Sequence, residues 1–208
     1  MGFEQAEISA KLFGWNGTRE REVGVDQATR ALNFIDYAHH EVHAGSHYFI
    51  SRSVADLGAA TDDIMSFSFT TPNTAKWLHM VVSAVSAAGA RFRFIETKTG
   101  GGGAGSGDLT VFNSNRNSAN TSAIISTAAT PVAGKVSYDS ALFTGGVSLI
   151  DVIIGATGVG NAVVGGEKRA DNEIILKQNT EYQVSLYNTA NVPGSLSLSW
   201  YEHTDKEA

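Results

Sequence analysis

A chain of 208 residues, 42% hydrophobic and 17% charged, is too apolar for disorder and long enough for one domain burying roughly 70% of its unfolded surface. Its net charge of −6, from 15 Lys and Arg against 21 Asp and Glu, offers no basic surface to phosphates and argues against a nucleic-acid partner. With no Cys, disulfide frameworks, thiol nucleophiles and thiolate metal sites are excluded, and 22 Gly favour turns over coiled coil.

Residues 1–30 carry Arg19-Glu20-Arg21-Glu22 between Trp15-Asn16-Gly17-Thr18 and Val23-Gly24-Val25, and read as an extended arm or first hairpin with a charged, solvated edge. Met1 to Lys11 contains Glu4 and Glu7 and no unbroken apolar run, so it does not read as a signal peptide, and no stretch reads as a membrane span. Between Asp26 and Gly45 two readings compete. Asp26 could cap a helix with Leu32, Ile35, His39 and Val42 on one face and Gly45 just past its end. Alternation of Leu32, Phe34 and Asp36 with Asn33, Ile35 and Tyr37 instead suggests an extended segment, and this reading is preferred.

The next strands are clearer. His47–Ser51 and Met65–Phe69 alternate with period 2, the second ending at Thr71-Pro72-Asn73. Trp77 to Val85 points Trp77, His79, Val81 and Val85 one way and Leu78, Met80 and Val82 the other, which predicts a central strand covered on both faces. Arg91 to Thr97, with Phe92 and Phe94 on one face, is expected to pair with that strand across Ala87-Ala88-Gly89-Ala90. The run from Gly100 to Gly107 predicts a loop, Asp108–Phe112 a short strand, Asn113–Thr121 a polar loop and Ser122–Thr127 another strand. Leu149–Ile154 is an apolar piece among Gly-rich turns. Finally Tyr182, Val184 and Leu186, then Leu196, Leu198 and Trp200, alternate with polar residues on either side of Asn188 to Gly194, which predicts a long hairpin over 174–202. The expected fold is all-β: a two-sheet antiparallel sandwich of jelly-roll type over 31–208, preceded by the N-terminal arm.

Candidate chemistry is sparse. His39, His40, His43 and His47 with Glu41 invite a metal, but Gly45 breaks the helical spacing and Ala44 stands where the second His of a zincin motif belongs, so polar hydrogen bonding under a turn is the preferred reading. Gly160 to Gly165 is followed by Gly166-Glu167 where a phosphate loop needs Lys and Ser or Thr, and no Gly-x-Ser-x-Gly elbow is present. No catalytic residue, cofactor or metal site is therefore expected. Asn16-Gly17-Thr18 and Asn120-Thr121-Ser122 read as turns, and Trp77 and Trp200 as core residues that lie within apolar alternation.

Several motifs together resemble tailed-bacteriophage virion structural proteins: Ile35 to Tyr48, Thr70-Thr71-Pro72-Asn73-Thr74, Asn113-Ser114-Asn115-Arg116-Asn117-Ser118, Ile175 to Thr180 and Trp200 to Lys206. The resemblance implies a capsid decoration or cement protein with no enzyme activity. Such a protein would bind the major capsid protein on the outside of the head after assembly in the bacterial cytoplasm. Analogy with decoration proteins further implies a homotrimer, with no nucleic-acid or membrane partner. The alternative is a tail- or fibre-associated protein that binds host glycans. Asn113, Asn115, Arg116 and Asn117 in the polar loop, with Arg19 and Arg21 in the arm, are the candidate subunit or capsid contacts.

Overall fold

The computed structural model describes residues 13–15, 20–22, 37–57, 65–97, 105–143, 145–154, 173–188 and 192–204. The chain divides into two compact units, Met1–His39 and His40–Ala208. In the first, β1 (Phe13–Trp15) and β2 (Glu20–Glu22) pair antiparallel, with Gly14 opposite Arg21. Arg19 lies outside the described residues.

Among the described residues one helix, α1 (Tyr37–Ala44), leads into the second unit. The extended reading of residues 26–45 is corrected there, while 26–36 lie outside the described residues. Gly45, at φ +70°, ends the helix: its N–H donates to Val42 O at 3.1 Å and the Ser46 N–H donates to Glu41 O at 2.9 Å. This paired closure satisfies two otherwise orphaned carbonyls and needs the left-handed conformation that glycine adopts without strain.

The strands that follow are β3 (His47–Leu57), β4 (Met65–Thr70), β5 (Lys76–Ser86), β6 (Ala90–Thr97), β7 (Gly107–Thr110) and β8 (Phe112–Asn113). They continue as β9 (Ile125–Ser126), β10 (Lys135–Tyr138), β11 (Val147–Ile154), β12 (Ile174–Leu176), β13 (Glu181–Asn188) and β14 (Val192–Thr204). Every pairing is antiparallel. One sheet runs β11-β6-β13-β4-β10-β7, with β9 beside β4, and the other runs β12-β5-β14-β3-β8. A single core cluster draws Phe67, Phe94 and Tyr182 from the first and Met80, Leu198 and Trp200 from the second, so the two sheets form an antiparallel sandwich. Its strand order is compatible with a jelly roll.

Two expected hairpins are not hairpins. β13 pairs with β4 and β6, whereas β14 pairs with β3 and β5 in the opposite sheet. The same holds upstream, where β5 and β6 lie in different sheets although only a short link separates them. The stretch expected as one strand from Ile174 to Leu186 is likewise split at Asn179 (φ +48°) into β12 and β13, which belong to different sheets. The physical reason is shared. In a hairpin, the apolar rows of both strands would lie on one face and still need a cover. By crossing between sheets, the row Tyr182, Val184, Leu186 helps to cover Leu196, Leu198, Trp200, and all six are buried. Each such Leu or aromatic contributes roughly 1.5–3 kcal/mol relative to exposure.

The outer face of β4 and β13 is also closed. Ser66, Ser68, Gln183 and Ser185 are fully buried, and residues 140–143 bond to Ser66 and Gln183. The Gln183 amide donates to Ala141 O at 2.8 Å and accepts from Phe143 N–H at 2.9 Å, and the Ser66 hydroxyl donates to Ser140 O at 3.0 Å. Strict alternation of apolar and Ser residues therefore marks strands buried on both sides, with Ser66, Ser68 and Gln183 hydrogen-bonded.

Candidate interaction surface

The Asn-rich loop after β8 is built around the end of α1. Asn113 is buried; its amide donates to Gly45 O at 2.8 Å and Asn120 O at 3.2 Å, and its oxygen accepts from Asn115 N–H at 2.9 Å. Asn115 donates to His43 O at 3.2 Å and accepts from Asn117 N–H at 3.1 Å. Asn120 adds a 3.2 Å bond to Gly45 O. These side chains satisfy carbonyls at the helix end, Gly45 O together with the Tyr48 hydroxyl at 3.3 Å. A Cβ on Gly45 would lie 2.3 Å from Ser118 Oγ, so loop and helix end are in direct contact.

The candidate contacts thus divide. Asn113 is buried and bonded to its own chain. Asn115 is tied to the helix end and the loop, while Arg116 and Asn117 remain exposed at the tip. The guanidinium of Arg116 lies 5.3 Å from the centroid of the Phe112 ring. Phe112 is 45% exposed and packs beside Phe49, 38% exposed, with ring centroids 5.9 Å apart. Sequence reasoning missed both Phe residues, although the alternation of β3 holds the signal: Tyr48 and Ile50 face the core, so Phe49 must face out. An Arg guanidinium over Phe112, itself packed beside the partly exposed Phe49 at a short edge strand, has the composition of an interface anchor.

Beneath this patch the sheet is locked to the loops by one carboxyl group. Glu202 is buried; Oε1 accepts from Ser122 Oγ–H at 2.6 Å, Ala123 N–H at 3.0 Å and Trp200 Nε1–H at 3.1 Å. The Glu202 N–H donates to Ser46 O at 2.9 Å, next to the helix stop. The Tyr48 hydroxyl donates toward Thr121 O at 3.2 Å, and burial, reinforced by the nearby Glu202 carboxylate, pushes its pKa up to about 12.

A second knot joins the turn after β4 to the turn between β12 and β13. The Thr71 hydroxyl donates to Lys177 O at 2.6 Å and accepts from Thr180 N–H at 3.0 Å, while the Gln178 amide donates to Thr74 O. Next to it, Tyr182 donates to Glu96 at 2.8 Å; burial first, and then this bond, push the phenol above its usual range.

Two other sequence expectations meet the structure here. His39, His40 and His43 are exposed on α1, while His47 contacts Ser114 Oγ at 2.6 Å and Ser199 Oγ at 3.3 Å, the hydrogen-bonding role expected for it. Trp77, expected in the core, is 39% exposed on the outer face of β5, opposite His203. The core-facing set of that strand is Leu78, Met80 and Ala84. Comparison with protein-family models, with curated proteins and with solved structures finds no match to this chain.

Proposed function

We propose that this chain is a virion structural protein of a tailed bacteriophage, of the decoration or cement type, which binds the major capsid protein on the outside of the head and stabilises it. The observation that carries this reading is where the motifs of the resemblance lie. The helix end at 43–48 is bonded to Asn113 and Asn115 and to the backbone of Glu202, and the turn at 71–74 is bonded to Lys177, Gln178 and Thr180. Five segments far apart in sequence thus meet in two hydrogen-bonded knots, so the segments that carry the resemblance are ones on which this sandwich depends. A sandwich whose loops are tied down in this way presents a rigid surface, and the Arg116, Phe112 and Phe49 patch is the anchor proposed for the capsid.

Self-association is proposed at β11. Among the described residues, three of the four edges of the two sandwich sheets are short, with β7, β8 and β12 at 4, 2 and 3 residues, whereas β11 runs for 8 residues and leaves Val147 58% and Ile153 77% exposed. A long apolar edge invites strand pairing with a neighbour, and a closed ring of copies, a trimer by analogy with decoration proteins, covers it without leaving a growing end.

A specific observation also favours the glycan-binding alternative: Trp77 presents an exposed indole on a sheet face, a platform on which a sugar ring can stack. Co-sedimentation with purified heads decides between them. The decoration reading expects wild-type protein to pellet with heads, Phe112→Ala/Arg116→Ala to stay in solution while keeping its circular dichroism, and Trp77→Ala to bind normally. Loss of attachment only in Trp77→Ala, reproduced by competing free sugar on host cells, would favour the alternative.

A further inference from the structure

On the outer face of the five-stranded sheet, β5 and β14 bring two imidazoles together in an arrangement the fold does not require. Register places Tyr201 opposite His79 and His203 opposite Trp77, so His79 and His203 are diagonal neighbours on one face. Their Nε2 atoms lie 2.6 Å apart and their ring centroids 4.5 Å apart.

The other nitrogen of each ring faces an acceptor. His79 Nδ1 lies 2.6 Å from Glu173 Oε1, an oxygen that also accepts from the Tyr201 O–H at 2.7 Å. His203 Nδ1 faces the carbonyl oxygen of Thr204 at 3.3 Å. A carboxylate oxygen only accepts, so in a neutral His79 the proton belongs on Nδ1 and the lone pair on Nε2, facing His203. Across 2.6 Å that lone pair meets either an Nε2–H of His203 or, with the His203 proton on Nδ1, a second lone pair, and in the second form the two converge on a position that a cation can take.

We propose that His79 and His203 are two ligands of a divalent transition-metal ion of the Zn²⁺, Cu²⁺ and Ni²⁺ class, which prefers imidazole nitrogen. With metal–nitrogen bonds of about 2.0–2.1 Å, two ligands at a tetrahedral angle stand about 3.4 Å apart, so the pair opens by roughly 0.8 Å to admit the ion. Glu173 on His79 Nδ1 supplies the carboxylate support that orients a ligating imidazole and raises its basicity, and Tyr201, stacked on His79 with centroids 4.6 Å apart and planes at 14°, holds the ring plane. Among the described residues no group of three or more metal-ligating side chains gathers, and water is the further ligand proposed. Bound there, the ion would staple β5 to β14. This inference is independent of the capsid reading and stands or falls without it.

The test is calorimetric titration of the full chain, freed of metal by chelation, with ZnCl₂ at neutral pH, alongside thermal melts with and without Zn²⁺. One saturable site per chain and a raised Tm are expected. His203→Ala should abolish both, Glu173→Gln should weaken binding about tenfold, and His39→Ala/His43→Ala should change nothing. His203 is the decisive position because it is half-buried near the end of β14, whereas loss of His79 from the middle of the sheet risks misfolding. Absence of saturable binding, binding unchanged in His203→Ala, or binding that follows His39 and His43 would overturn the proposal. So would a pair that merely shares a proton, seen as a His203-dependent change of Tm with pH and no response to Zn²⁺.

Discussion

Replacing Glu202 with Ala removes the acceptor of three buried donors at once: the Ser122 hydroxyl at 2.6 Å, the Ala123 N–H at 3.0 Å and the Trp200 indole N–H at 3.1 Å. A buried donor left without a partner costs roughly 1–3 kcal/mol. Water entering the space vacated by the side chain relieves part of this, Ser122 first because its hydroxyl can rotate, and the net loss is about 3–5 kcal/mol. Against a total stability of about 5–15 kcal/mol this is severe, and it should lower Tm by roughly 6–20 °C. Glu202→Gln keeps an oxygen for two of the donors and should lose only about 1–2 kcal/mol. Urea unfolding followed by tryptophan fluorescence reads both variants. A loss below about 1 kcal/mol for the Ala variant, or equal damage from Gln and Ala, would refute the reasoning.

Further outcomes follow from the same structure. Gly146 sits at φ +92°, where a Cβ would lie 2.3 Å from the backbone oxygen of Glu96, so Gly146→Ala should cost roughly 1–3 kcal/mol and strip β11 from β6, visible as loss of amide protection in β11. Tyr48 titrates near 10 when unfolded and at about 12 when folded, so its contribution is complete below about pH 10 and is lost as pH rises to about 12. That contribution is on the order of 2 kcal/mol, Tyr182 acts in the same direction, and Tyr48→Phe should flatten the decline of the urea midpoint across this window. Deleting residues 1–25 should leave the circular dichroism and Tm of the sandwich intact while weakening attachment to heads; undiminished binding would remove the arm from the interface. Ile153→Lys, which places a charge on the β11 edge, should shift the native mass to the monomer if that edge joins copies.

The β class was legible because alternation survives in nearly every strand: Met65–Phe69, Tyr182–Leu186 and Leu196–Trp200 announce their core faces. Which strand pairs with which was not legible, since period-2 patterning assigns a face and says nothing of the partner. β13 and β14 look the same whether they lie edge to edge or face to face. The helix at Tyr37–Ala44 was obscured because its exposed face carries His and its interior side contributes little to the core, so its clearest sign was Gly45. Within the site, the Asn loop stood out by composition, but composition does not separate Asn113, which points inward, from Asn117, which points out. Glu202 was discoverable: two residues after Trp200 in a strand, it had to share the core face, and a carboxyl there requires donors. The pairing of His79 with His203 was not, since it depends on the register of β5 against β14.

Immunogold electron microscopy of virions from an infected bacterial lysate, with antibody raised against the His40–Ala208 unit, tests the central claim most directly. The account predicts gold distributed over the outer surface of the head, removed when the chain is released by mild denaturant. Gold confined to the tail or its fibres, or absent from intact particles, would contradict it.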